Sequence, residues 1–290
     1  MEVTIMLKRI VIDSDSILYR SAYINNHKDD ALEEALALDD GGDELDLETA
    51  EATDVLDAMA KTFHSMVNDI VREVQVDAKA KGYEVDPTPV LVLTVKGSSD
   101  RCDDLEDNFR YEVMNSVEDP EVKGYKHSRS KTTVPDGLLD IYNYVSDLPN
   151  AICVGGVEAD DVCVYYGLQG HIICALDKDV LQSLPYAYNF GKKQWVEYTD
   201  DERRLWFYTQ IVTGDSSDGL RGAYRVGAKW CEKNLLATDT EAELWTKVVK
   251  AYYTKGQTLE EALATARCVS MTQWTPETGL VYWKPAKKEK

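Results

Sequence analysis

The runs Ile10-Val11-Ile12 and Val90-Leu91-Val92-Leu93-Thr94-Val95 are almost wholly apolar, with no polar residue at every second position. A strand with one wet face alternates, so an uninterrupted run demands cover on both faces, the condition of a strand inside a parallel sheet. Ala151–Val154 and His171–Leu176 repeat the pattern. Helical patterns separate these runs. One extends from Asp54 to about Lys81, with Val55, Met59, Phe63, Met66, Ile70 and Val74 at three- and four-residue steps; two shorter ones cover Gly137–Val145 and Ala159–Leu168. Pro87 and Pro89 are expected to close the long helix ahead of a strand at Val90. Strands alternating with helices specify an α/β fold with a central, mostly parallel sheet flanked by helices. A hairpin (Ala187–Phe190 and Gln194–Tyr198) and a helix Asp201–Val212 follow. The remainder reads as helices Lys229–Leu235, Glu241–Tyr253 and Leu259–Met271.

With 290 residues, 44% apolar and 8 prolines, the chain can bury a large core, which excludes general disorder and a small disulfide scaffold. No apolar run approaches the roughly 20 residues of a membrane span, and no signal sequence follows Met1. A soluble, cytoplasmic protein with no membrane partner is expected. The six cysteines form no CxxC pair, which argues against a zinc ribbon or a thioredoxin motif. Five of the six tryptophans, Trp195, Trp206, Trp230, Trp245 and Trp283, lie in apolar contexts and are expected to pack in the core.

Net charge is −20, from 32 basic and 52 acidic residues. Taken whole, that sign argues against a polyanionic partner. The imbalance is local, however: His27–Asp57 holds thirteen acids against Lys28, or −12 of the total. Its run Asp39-Asp40-Gly41-Gly42-Asp43-Glu44 repels itself and has no core-forming pattern, so it reads as a solvated loop between frayed helix ends. Bases gather elsewhere. Lys123, Lys126, Arg129 and Lys131 lie in a charged stretch, 96–135, without periodicity and too long for an ordinary connection. Arg221, Arg225, Lys229 and Lys233 recur every four residues, either as a solvated helix face or as a phosphate-binding row. Screening over about 8–10 Å lets such patches act independently of the acidic segment.

The acids that carry chemistry fall at element ends. Asp13 closes the first strand; Glu158, Asp160 and Asp161 follow the third; Asp177 and Asp179 follow the fourth; Asp215 and Asp218 lie in Gly214-Asp215-Ser216-Ser217-Asp218-Gly219. Each group has a local reading, as a charged first helical turn or an Asx turn. In a parallel sheet, however, all the carboxyl ends share one edge, where ligands bind. So many carboxylates cannot all ionise together without cations. Hard divalent ions suit oxygen ligands, and two of them about 3.5–4 Å apart are the usual arrangement for phosphodiester cleavage.

Ile12-Asp13-Ser14-Asp15 with Tyr19-Arg20, Val157-Glu158-Ala159-Asp160-Asp161-Val162, Leu176-Asp177-Lys178-Asp179-Val180-Leu181, and Gly214–Gly222 with Val226-Gly227-Ala228-Lys229 together resemble the 5′-nuclease superfamily. That group includes flap endonucleases, the 5′→3′ exonuclease domain of bacterial DNA polymerase I, and phage exonucleases. Chain length and the ending Leu280-Val281-Tyr282-Trp283-Lys284-Pro285 are most similar to the exonucleases of short-tailed lytic phages. The resemblance implies a PIN-like, resolvase-like nuclease core over 1–213, including the acidic insertion 27–58 and a helical arch over 96–135. It also implies a helix-three-turn-helix and helical extension over 214–290, packed on that core.

Asp13, Glu158, Asp160, Asp161, Asp177, Asp179, Asp215 and Asp218 would hold two Mg²⁺ or Mn²⁺ ions. Arg20, Lys126 and Arg129 would act at the reacting phosphate. Arg221, Arg225, Lys229 and Lys233 would grip the DNA backbone, with a K⁺ ion at the turn Gly222–Lys229. Tyr111 and Tyr125 are either base-stacking or core residues. The implied activity is 5′→3′ exonuclease or flap endonuclease cleavage of duplex or branched DNA, in phage DNA replication or host DNA degradation, by a monomer in the host cytoplasm. One position departs from the pattern: the second strand ends in Val95 where the family has an aspartate, with Asp100, Asp103 and Asp104 nearby. That departure favours one alternative, a catalytically weakened binder of DNA structures; the other is a remover of RNA primers from RNA–DNA hybrids.

Overall fold

The computed structural model describes residues 7–36, 48–95, 108–117, 125–126 and 134–287. Strand β1 (Lys8–Asp13) is interior, with Ile10, Val11 and Ile12 fully buried. Helices α1 (Asp15–Leu36) and α2 (Glu48–Ala80) lead to β2 (Val85–Thr94); α3 (Phe109–Asn115) and α4 (Leu138–Ser146) lead to β3 (Ala151–Val154). Helix α5 (Ala159–Leu168) crosses to β4 (Ile172–Ala175), and α6 (Lys178–Ser183) leads to β5 (Tyr186–Asn189) and its hairpin partner β6 (Gln194–Glu197). After α7 (Asp200–Thr213), a short hairpin of β7 (Gly214–Asp215) and β8 (Leu220–Arg221) precedes α8 (Ala228–Asn234), α9 (Glu241–Tyr253) and α10 (Leu259–Val269).

The sheet order is β3-β2-β1-β4-β5-β6, parallel throughout except for the antiparallel β5–β6 pair. Because strand side chains alternate, each buried run feeds two clusters. Val11, Val92, Ile173 and Ala175 join α3, α5, α7, α9 and α10 on one face. Ile10, Ile12, Leu91, Leu93, Ile172 and Cys174 join α1, α2 and α4 on the other. Each fully buried large aliphatic stabilises the fold by about 1.5–3 kcal/mol. The first cluster continues from Val11 to Val269, so the C-terminal helices share their core with the sheet. After β3 the chain crosses to the far side of β1, which puts the reversal of strand order between β1 and β4. The crevice outside the carboxyl ends at such a reversal is where open α/β sheets bind ligands.

Four expectations change. The acidic segment is largely helical at its flanks: α1 runs to Leu36 and α2 begins at Glu48, while 37–47 lie outside the described residues. Ala, Leu and Glu are strong helix formers, and like charge does not cancel that propensity. Strand β2 starts before its prolines, at Val85. Its register against β1 jumps from Arg9↔Asp86 to Val11↔Val90, so Pro87 and Pro89 sit in an irregularity where their missing N–H groups are not needed. Part of 96–135 is core: α3 buries Phe109, Arg110, Val113 and Met114, and Asn108 caps it by accepting from the Arg110 amide at 2.9 Å. A seven-residue helix is too short to show a period. Finally, only Lys229 and Lys233 share a helix; Arg221 lies in β8 and Arg225 in the following turn. No described helix is long and apolar enough to cross a membrane.

Candidate metal centre

Asp13 is the last residue of β1 and 5% exposed. The next amide, Ser14 N, still donates to Val92 O at 2.9 Å, so the β1–β2 pairing runs on past the acid. Helix α1 opens with Asp15, whose carboxylate accepts from Thr94 N at 3.2 Å and therefore stands at the carboxyl end of β2. Thr94 Oγ1 in turn accepts from Ala159 N, the first amide of α5, at 2.9 Å. Glu158 is the N-cap of α5 in a reciprocal capping box with Asp161. Asp177 caps α6 by accepting from Asp179 N at 2.7 Å. Strand ends and helix starts thus bring the first three acid groups to one edge.

Electrostatics show which carboxylates face one another. Burial pushes Asp160 well above the usual carboxylate range, and the charges of Asp13, Asp177 and Glu158 push it further. Burial also lifts Asp179 to about 7, with Asp177, Asp215 and Asp218 adding to the rise against Lys178. Asp177 belongs to both sets, so the acids form two overlapping groups. Asp215 behaves differently: burial would raise it, but Ser217 Oγ and N donate to Oδ1 at 2.5 and 2.8 Å, and Lys178 lies 3.5 Å from Oδ2. It is held below the usual range.

The chain supplies cations to the same edge. Lys126 has left-handed φ of 52° and is buried; its amide donates to Asp218 O at 2.7 Å and its ammonium pairs with Glu158 Oε1. The Tyr125 hydroxyl lies 3.0 Å from Glu158 Oε2 and 3.2 Å from Asp218 Oδ2. Tyr125 is only 2% exposed, so it is a core residue and offers no face for stacking on a base. Against burial, Lys126 and Arg110 hold Glu158 ionised, below its ordinary range. The segments at 125–126, 158–161 and 215–218 are therefore one bonded unit.

Asp161 is not available in the way its motif suggests. Arg110 Nη1 and Nη2 donate to its two oxygens at 2.6 and 2.7 Å, and Glu158 N donates to Oδ2 at 3.0 Å. Both carboxylate oxygens are thus already engaged by the guanidinium. Arg20 is exposed on α1, and Arg129 lies outside the described residues. Arg221 and Arg225 flank the exposed Tyr224 ring at 5.1 and 4.9 Å from its centroid, and Lys229 and Lys233 are exposed on α8. Sequence reading singled out neither of two residues that the structure puts beside this edge, Asp15 and Arg110. Asp15 was signalled by the Asp13-Ser14-Asp15 spacing, but which strand end it reaches depends on β2. Arg110 carried no signal at all.

The donor set fits a hard divalent cation. It consists of carboxylates whose burial and mutual repulsion outweigh the nearby lysines at Asp160 and Asp179, and Asp179 Oδ1 is buried with no hydrogen-bond partner. Among the described residues, no three His, Cys, Asp or Glu side chains already close around one point. Lys126, Arg110 and Ser217 engage oxygens of Glu158, Asp161 and Asp215, and like charges hold the rest apart.

No protein-family model matches the chain, and no curated protein matches it by sequence. Solved structures do. A bacteriophage T5 5′-exonuclease with bound zinc superposes with a TM-score of 0.56 at 16% identity, covering 91% of this chain and 89% of that one. The T5 flap endonuclease, in a pseudo-enzyme–product complex with DNA and metal ions, gives 0.55 at 15% identity with the same coverage. A T5 protein co-crystallised with metal ions gives 0.53 at 15%. With its mostly parallel sheet and flanking helices, the chain shares the fold of these T5 5′-exonuclease and flap endonuclease structures.

Proposed function

We propose that the protein is a metal-dependent 5′→3′ exonuclease or flap endonuclease that hydrolyses phosphodiesters near the 5′ end of duplex or branched DNA, in phage replication or host DNA degradation. One observation carries this reading: acids from four separate segments lie near enough along the edge at the strand reversal that burial and mutual repulsion raise two of them, Asp160 and Asp179. The T5 flap endonuclease complex with DNA and metal ions, on the same fold, supports DNA as the partner. Asp13, Glu158, Asp160, Asp177, Asp179, Asp215 and Asp218 would hold two Mg²⁺ or Mn²⁺ ions. Such ions, when bound, lower the pKa of water and neutralise charge on the leaving oxygen.

The chain's own groups orient and hold. Asp15, held at the end of β2 by the Thr94 amide, would supply the carboxylate that Val95 lacks. Lys126 and Arg129 would meet the phosphate and offset its growing charge, and Arg20 would approach it from α1. Loss of one such cation costs roughly 3–4 kcal/mol of transition-state stabilisation. Arg221, Arg225, Lys229 and Lys233 would contact backbone phosphates without reading sequence, beside a K⁺ ion at the turn Gly222–Lys229. The unit 214–290 would grip duplex while 1–213 cuts.

Incubating a 5′-labelled flap duplex with Mg²⁺ or Mn²⁺ tests the reading: release of 5′ fragments supports it, and binding without release points to the weakened-binder alternative that Val95 favours. Preferential release from a 5′ RNA strand would identify a primer remover. Asp15→Asn is expected to lower kcat at least tenfold, the low end of what loss of a metal-site partner costs; full activity would remove Asp15 from the site.

A further inference from the structure

Arg110 is 1% exposed, as is its partner Asp161, and it lies outside every acidic motif. A guanidinium has five donors in a rigid plane, and the bonds of this one run in two directions. Two N–H groups grip both oxygens of Asp161 in α5 at 2.6 and 2.7 Å, with Glu158 Oε2 3.8 Å away. Nε donates to Cys268 O at 2.8 Å, and Nη2 to Ser270 O at 3.4 Å, both at the C-terminal end of α10. One of these carbonyls is itself held: Gln273 Nε2 donates to Ser270 O at 3.1 Å and to the neighbouring Arg267 O at 2.7 Å, and Trp283 N donates to Gln273 Oε1 at 2.6 Å. The fork geometry fixes the plane of the Asp161 carboxylate as well as its distance. Asp161 is the third residue of α5, so its plane sets the rotation of the turn bearing Glu158 and Asp160.

We propose that Arg110 is a positioning residue for the metal centre: it locks the first turn of α5 against the end of α10, with Asp161 as its anchor rather than as an ion ligand. This deepens the nuclease reading and rests on it. The C-terminal segment Gln273–Trp283 thereby acts on the site without touching it, because it orders Ser270 O, one of the two carbonyls that orient the guanidinium.

Calorimetric titration with Mn²⁺, together with kcat and KM on a 5′-flap duplex, tests the proposal in the full chain. Arg110→Lys keeps the charge but loses the fork. It is expected to lower Mn²⁺ affinity and kcat by roughly 10–100-fold, as loss of a residue that orients metal ligands does, with KM for DNA near the wild-type value. If Asp161 is instead a ligand that Arg110 withholds, Arg110→Lys frees it and raises Mn²⁺ affinity. A rise, or no change, overturns the proposal. Val67→Ala, in the other apolar cluster, serves as a destabilised control whose Mn²⁺ affinity should not move. Should Arg110→Lys fail to fold, Gln273→Ala is the milder form. It releases Ser270 O and should weaken Mn²⁺ binding at unchanged KM; unaltered Mn²⁺ binding overturns the proposal there too. A wild-type protein that neither binds Mn²⁺ nor cuts would refute the nuclease reading itself, whereas a wild-type-like Arg110→Lys refutes only the role of Arg110.

Discussion

Asp179 shows how a single carboxyl ties the site to stability. In the folded chain its pKa is about 7, against 3.8 when free, because it is withdrawn from water beside Asp177. A folded-state pKa above the unfolded one contributes stability that is complete below the lower value and is lost as pH rises through the upper one. Between pH 4 and 7, metal-free protein should therefore lose stability from this group. A divalent cation competes with the proton for the same oxygens, so added Mg²⁺ should raise Tm more at pH 8 than at pH 5. Asp179→Asn should flatten the pH dependence, exceed the wild-type Tm at pH 8 without metal, and abolish cleavage. Thermal scans across pH with and without Mg²⁺ check all three, and an unchanged pH slope would show that Asp179 is not the strained group.

At the level of elements, the site depends on short turns that bring segments close together. Gly214 has φ of +70°, and a Cβ there would lie 2.3 Å from Leu220 O across the β7–β8 hairpin. That closeness is what lets the loop carrying Asp215 and Asp218 lie against Tyr125 and Lys126. Gly214→Ala should open the hairpin and reduce cleavage sharply while far-ultraviolet circular dichroism stays close to wild type, because the large helices do not depend on it. The caps of α9 and α10, Thr240 with Glu243 and Thr258 with Glu261, serve stability instead. Replacing Thr240 by Ala should cost about 1 kcal/mol in a denaturant titration and leave kcat as it was. These boxes are visible in the sequence as Thr-x-x-Glu. The packing of α3 against α10 is not, because seven residues are too few to establish a period and their partner lies about 150 residues away.

For the whole molecule, net charge and partner point in opposite directions, and distribution resolves the conflict. A body carrying −20 can still hold DNA if its contacts are made by a few bases within a screening length. Binding should then be steeply salt-dependent, and Lys229→Gln with Lys233→Gln should reduce the slope of log Kobs against log salt by about 2, if each neutralises one phosphate. Fluorescence anisotropy with a labelled duplex over a salt series measures this; an unchanged slope would move the duplex elsewhere.

Local pattern was enough for the α/β class, the β3 and β4 runs, the helices of the C-terminal part and the acids at strand ends. Each depends on the period or punctuation of neighbouring residues. Tertiary structure decided which strand lies beside which, and with it that Asp15 reaches the end of β2. It also decided that Arg110 engages both oxygens of Asp161, and that Tyr125 is enclosed. Those outcomes depend on contacts between residues far apart in the chain, whose strength comes from burial and from low local dielectric. Neither quantity exists until the sheet and its covering helices have closed around them.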